Sequence, residues 1–138
     1  MEDPKINIKI KLSALWVTVM FLFAYVDILS HMQPGIIEDF ITGNVAGFQI
    51  TQVWLLGVTV MMAIPALMIF LSLALKPKVN RLANIIVATL KIIIVVGSNF
   101  IGVAWGYYIF GSVVEVMLLS LIVWYAWKWP KIEVKSSR

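Results

Sequence analysis

The sequence predicts an all-α fold: a transmembrane four-helix bundle with N and C termini cytoplasmic and a short amphipathic helix in the first outer loop. Three observations predict it. First, 62% of the 138 residues are hydrophobic and 13% are charged. Soluble domains carry roughly 25% charged and about 45–50% apolar residues, and so short a chain has too little interior to hide the excess from water. Second, the apolar residues fall into four runs, each near the ~20 residues needed to cross ~30 Å of hydrocarbon as a helix. Third, ten of the eleven basic residues fall on one side of those runs.

Span one covers about 12–30, from Leu12 to Ser30. Its apolar core exceeds the ~7–15 residues of a cleavable signal. The following Ser30-His31-Met32-Gln33-Pro34 has no small-x-small site. The segment is therefore expected to stay as a helix. Gln33-Pro34-Gly35 then signals a turn. Ile36, Ile37, Phe40 and Ile41 follow at helical spacing around Glu38 and Asp39, which predicts the short surface helix. Gly43-Asn44 is expected to end it.

Span two covers about 52–75 and is apolar on all sides, which excludes the alternation of a membrane barrel strand. Pro65 at its middle cannot donate to the Met61 carbonyl and predicts a helix kink. Spans three and four cover about 82–101 and 107–127, joined by a few residues as a tight antiparallel hairpin. The four spans leave room only for short connections, so residues 1–138 read as one membrane domain.

Charge sets the expected orientation. Lys5, Lys9 and Lys11 precede span one. Lys76, Lys78 and Arg81 separate spans two and three. Lys128, Lys131, Lys135 and Arg138 follow span four, and the other two loops contain no Lys or Arg. The positive-inside rule makes the basic side cytoplasmic. The same placement explains the net charge of +4 as helix anchoring and gives no reason to expect nucleic-acid binding. Trp105, Tyr107 and Tyr108 at one end and Trp124, Tyr125, Trp127 and Trp129 at the other fit headgroup belts.

Ionisable groups at membrane depth cost several kcal/mol unless paired or hydrated, so they mark candidate sites. Lys91 lies ten residues after Arg81, or about 15 Å deep at ~1.5 Å per residue. Glu115 lies thirteen residues before Lys128, about 20 Å from the same side by that rise. A Lys91–Glu115 pair is the leading expectation. It is either a static ion pair that fixes helix register or a proton- or ion-linked site; the third reading leaves the two groups unpaired.

Asn84, Ala88, Lys91, Ser98 and Gly102 share one face of span three, and Tyr108, Ser112 and Glu115 share one face of span four. Asn84 and Ser112 thus join the buried polar candidates. The small residues Ser98, Gly102 and Gly106 suit close helix packing. Asp27 and His31 lie four apart toward the outer end of span one, with Glu38 in reach if the loop helix folds over the mouth. One His and one Asp are too few for a metal site, which takes three or four ligands. The absence of cysteine removes thiolate metal and thiol redox chemistry. The seven methionines read as flexible packing. No metal and no cofactor are expected.

A resemblance to a known family rests on several stretches. The longest is Met62-Ala63-Ile64-Pro65 through Asn80-Arg81-Leu82-Ala83-Asn84-Ile85-Ile86. Others are Lys11-Leu12-Ser13-Ala14-Leu15-Trp16, Gln33-Pro34-Gly35, Gln49-Ile50-Thr51-Gln52 and Trp124-Tyr125-Ala126-Trp127-Lys128-Trp129. In these the chain resembles an uncharacterised family of small four-span bacterial membrane proteins, a domain of unknown function. The resemblance implies a multi-pass protein of the bacterial cytoplasmic (inner) membrane and carries over no catalytic residue.

Three functions are compatible with the sequence. The first is a bundle that binds or passes a small solute or proton through its polar centre. The second is a structural or accessory subunit packed in a homo-oligomer or a larger membrane complex. The third, an intramembrane enzyme acting on lipid or quinone, is held lowest, since no HExxH, Cys pair or phosphate loop is present. The expected partners are membrane lipid and either a second copy or another membrane protein.

Overall fold

The computed structural model describes residues 6–45, 47–100 and 105–129. Its elements are α1 (Ile8–Ser30), α2 (Ile36–Ile41), β1 (Asn44–Val45), β2 (Phe48–Gln49), α3 (Gln52–Ala74), α4 (Pro77–Ser98) and α5 (Gly106–Trp127). Four of these helices are long and apolar enough to cross a membrane.

Local signals set the helix ends. The Asn7 side chain accepts from the Lys9 N–H at 2.8 Å and starts α1 a turn before the apolar run. Pro77 starts α4 the same way, since the first helical position needs no amide donor. Both starts lie earlier than 12 and 82 because hydropathy marks the hydrocarbon, whereas capping marks the helix. The Thr51 hydroxyl accepts from the Trp54 N–H at 3.0 Å and starts α3 at Gln52. Gly43 follows the end of α2 with φ 87°, a left-handed conformation that glycine adopts without strain.

After α2 the chain forms a hairpin that hydropathy did not predict. Asn44 pairs with Gln49 and Val45 with Phe48. Strands of two residues are too short to show a period of two.

The long helices run antiparallel in sequence order. The start of α1, the α3–α4 connection and the end of α5 share one end, here the basic end, where Lys11 sits over the Tyr125 ring at 5.3 Å. The other end carries α2 and the hairpin and is the loop end. Helix α1 packs between α3 and α5, and α4 packs along α5 and against α3. Helices α1 and α4 are therefore diagonal. The core comprises Leu12, Trp16, Val19, Phe23, Met68, Ala88, Val95, Leu119 and Ile122.

Pro65 is buried within an uninterrupted α3 and is the first buried residue of that helix. Among the described glycines the tightest contact is at Gly111, where an added Cβ would meet the Val26 side chain at Cγ2, 2.9 Å away. Of the small residues Ser98, Gly102 and Gly106, Ser98 accepts from the Tyr108 hydroxyl of α5 at 2.8 Å, Gly106 has open space around an added Cβ, and Gly102 lies outside the described residues.

Candidate functional site

The polar face of α4 divides into two sites. The first lies toward the basic end and is dry. Trp16 Nε1 donates to Asn84 Oδ1 at 2.7 Å, and Ser72 Oγ donates to the same oxygen at 3.3 Å. Asn84 Nδ2 donates to the carbonyl and side-chain oxygens of Asn80 at 2.9 and 2.6 Å. Asn80 Nδ2 donates to the Ser72 carbonyl at 2.7 Å and the Leu75 carbonyl at 3.3 Å. Trp16, Ser72, Asn80 and Asn84 are all 0% exposed. Asn84 thereby fills both donor and both acceptor positions of its amide. Asn80 also satisfies carbonyls at the end of α3 that have no partner within the helix. The network clamps three helices in one register. Asn84 belongs here, not beside Lys91.

Beside it, Ser13 Oγ donates to the Ile69 carbonyl at 2.7 Å. Arg81 Nε donates to the Ala126 carbonyl at 2.9 Å and Arg81 Nη2 to the Trp127 carbonyl at 3.2 Å. A guanidinium on the last carbonyls of α5 complements the negative end of that helix.

The second site is the charged centre, about two turns farther along α4. Lys91 and Glu115 are each 5% exposed. Lys91 Nζ lies 4.7 Å from the centroid of the Phe23 ring on α1. A cation over a desolvated aromatic face gains about 2 kcal/mol. Among the described residues Lys91 forms no ion pair within 4.0 Å. It lies within electrostatic reach of Glu115 and, less strongly, of Asp27. Glu115 in turn lies within electrostatic reach of Asp27 and Lys91. The centre thus holds two acidic side chains within electrostatic reach of one lysine, with no ion pair within 4.0 Å among the described residues. Ser112, one turn from Glu115, lines a groove of about 380 Å³ between α4 and α5 with Val96, Asn99, Val113 and Val116.

The outer-mouth candidates are only partly brought together. Asp27 is exposed, one turn beyond Phe23 on α1. It lies within electrostatic reach of His31 and then Lys91. His31 Nδ1 contacts the Asp27 carbonyl at 2.8 Å, and its ring meets Phe40 edge-on at 5.0 Å. Glu38 is exposed on α2 and forms no hydrogen bond to Asp27 or His31. Among the described residues no group of three His, Cys, Asp or Glu side chains can hold a metal.

The tyrosines near the loop end do more than anchor. Gln33 Nε2 donates to the Tyr107 hydroxyl, which donates to Ser30 Oγ at 3.1 Å. Tyr108 donates to Ser98 Oγ at 2.8 Å and ties α5 to α4.

Sequence reasoning missed Trp16, Ser72, Asn80 and Phe23. A signal existed for two of them: Asn80 lies four residues before Asn84 on one face, and a buried Trp needs a partner for its N–H.

With this geometry in place, comparison with known proteins adds one finding. Residues 3–136 match DUF6326, described as a family of unknown function. The chain belongs to that family. No curated protein and no solved structure matches it. The DUF6326 match spans all four long helices, so the clamp and the charged centre both lie within the family's matched region.

Proposed function

We propose that this chain is a multi-pass protein of the bacterial cytoplasmic membrane, with its basic end inside, that binds a proton or small cation at its charged centre. One observation carries the reading. Lys91 and Glu115 are buried to 5% exposure at the middle of their helices, yet among the described residues neither forms a direct ion pair. A purely structural pair would be expected to close, because an uncompensated charge at that depth costs several kcal/mol. Asp27 adds a second acidic side chain within electrostatic reach of Lys91. Such a centre favours a positive occupant.

Proteoliposomes with an entrapped pH-sensitive dye test this under an imposed proton or cation gradient. The parent protein is expected to dissipate the gradient, and Lys91→Met and Glu115→Gln to fall to the protein-free rate. A parent rate equal to that of empty liposomes overturns it.

A second reading rests on α3, whose buried residues are only Pro65, Met68 and Ser72. A helix so little covered by its own bundle fits an accessory subunit that packs against a second copy or a larger membrane complex. Crosslinking in native membranes that yields only monomer counts against it.

A further inference from the structure

Buried side chains are unevenly distributed along the bundle. Among the described residues of the long helices they fall within Leu12–Phe23, Pro65–Ser72, Asn80–Val95 and Gly111–Ala126. The stretches toward the loop end, 24–30, 52–64, 96–98 and 106–110, contain none. Fully buried residues end first on α3, where Met62 beyond Pro65 still packs, half-buried, against the core. Pro65 lies about 14 Å from the basic end of its helix at ~1.5 Å per residue, whereas Glu115, Lys91 and Phe23 lie about 18, 21 and 22 Å along theirs. At the level of the charged centre, α1, α4 and α5 still have buried residues, and α3 has none.

Two further observations give the opening a direction. Asp27, the charged residue next toward the loop end, is exposed and lies within electrostatic reach of Lys91. Among the described residues Asn99 Oδ1 is the one fully enclosed side-chain atom without a hydrogen-bond partner, so the unpaired tips of Lys91 and Glu115 are not fully enclosed. The opposite direction is closed twice. On each long helix a buried apolar residue, Val19, Met68, Ala88 or Leu119, lies between the level of the centre and the basic end, and the Trp16–Asn84–Ser72–Asn80 clamp lies beyond them. Every donor and acceptor of the Asn84 amide is already used within the protein, which leaves it no group to offer a passing ion.

We infer that in this conformation the charged centre exchanges its occupant only with the loop-end side, that the Trp16–Asn84 clamp and the buried apolar residues between it and the centre seal the basic end, and that passage across the bundle waits on the opening of that clamp. This inference rests on the reading of the centre as a binding site. It adds the direction of access and names the residues that block through-passage. Opening toward the basic end requires the Asn84 amide to give up its partners on α1 and α3.

The natural absence of cysteine allows a direct test. Single variants Asp27→Cys and Lys91→Cys are reconstituted and exposed to a membrane-impermeant charged thiosulfonate on either face. Phe48→Cys marks the loop end and Lys78→Cys the basic end. Asp27→Cys and Lys91→Cys are expected to react at least about tenfold faster from the loop-end face. Adding Trp16→Phe and Asn84→Ala is expected to raise the rate from the basic-end face by about tenfold, the factor for an opening freed of one buried hydrogen bond.

Equal rates from both faces overturn the inference, as does faster reaction from the basic end. Failure of Asp27→Cys to react from the loop end overturns it even if Lys91→Cys does not fold. One-sided labelling without gradient dissipation sinks the proposed function and keeps the access route. Dissipation with two-sided labelling does the reverse.

Discussion

The Trp16 indole donates to Asn84 Oδ1 across 2.7 Å and so joins α1 to its diagonal partner α4 through the middle of the bundle. Ser72 adds α3 to the same oxygen. Asn84→Ala removes every one of these bonds and strands a buried indole N–H. An unsatisfied buried donor costs about 1–3 kcal/mol, although interhelical bonds in membranes average nearer ~0.6 kcal/mol. Thermal unfolding in detergent is expected to show a loss of about 1–3 kcal/mol for Asn84→Ala and a smaller one for Trp16→Phe. An unchanged Tm for Asn84→Ala would show that the clamp does not hold the helices.

Lys91 and Glu115 lie within electrostatic reach of each other, with no ion pair within 4.0 Å among the described residues. Removing one charge leaves the other buried and less compensated. Lys91→Met and Glu115→Gln are each expected to destabilise the protein. The double variant is expected to recover about 1–2 kcal/mol relative to the sum of the singles. Strict additivity in this double-mutant cycle would place the two groups in separate environments.

At Gly111 any larger residue drives a methyl group into Val26 Cγ2, 2.9 Å away. Gly111→Ala is expected to cost about 1–3 kcal/mol through overpacking. Adding Val26→Ala relieves the clash, so the pair is expected to regain most of that loss. If Gly111→Ala unfolds at the parent temperature, α1 and α5 do not approach so closely.

Arg81 reaches two of the last carbonyls of α5 and also stacks over Trp127 at 5.5 Å. Arg81→Lys keeps the charge but loses the planar fork. The expected cost is about 0.5–1 kcal/mol, with faster hydrogen exchange confined to the last turn of α5. Exchange raised evenly along α5 would argue against a capping role.

Much of the fold was legible because a helix crossing hydrocarbon must be long, apolar and internally hydrogen-bonded. That alone sets four long helices and their approximate limits. The burial of Lys91, Glu115, Asn84 and Ser112 was also readable, since polar groups on one face of an apolar helix turn away from lipid. Asp27 and His31 were readable only as neighbours along α1. Whether His31 meets the Asp27 carboxylate or its carbonyl depends on a rotamer, and spacing does not specify rotamers.

The sequence by itself determined the number of long helices, the basic character of one end and the presence of charge at mid-depth, because each follows from local composition and a period of 3.6 residues. Tertiary structure alone decided that Asn84 pairs with Trp16 rather than with the Lys91 centre. It alone decided that the fully buried residues of α3 end at Pro65, and that Gly111 rather than Gly106 makes the tight contact. The physical reason is that helix periodicity fixes which residues share a face. Crossing and separation of helices decide which faces meet, and those depend on residues distant in sequence.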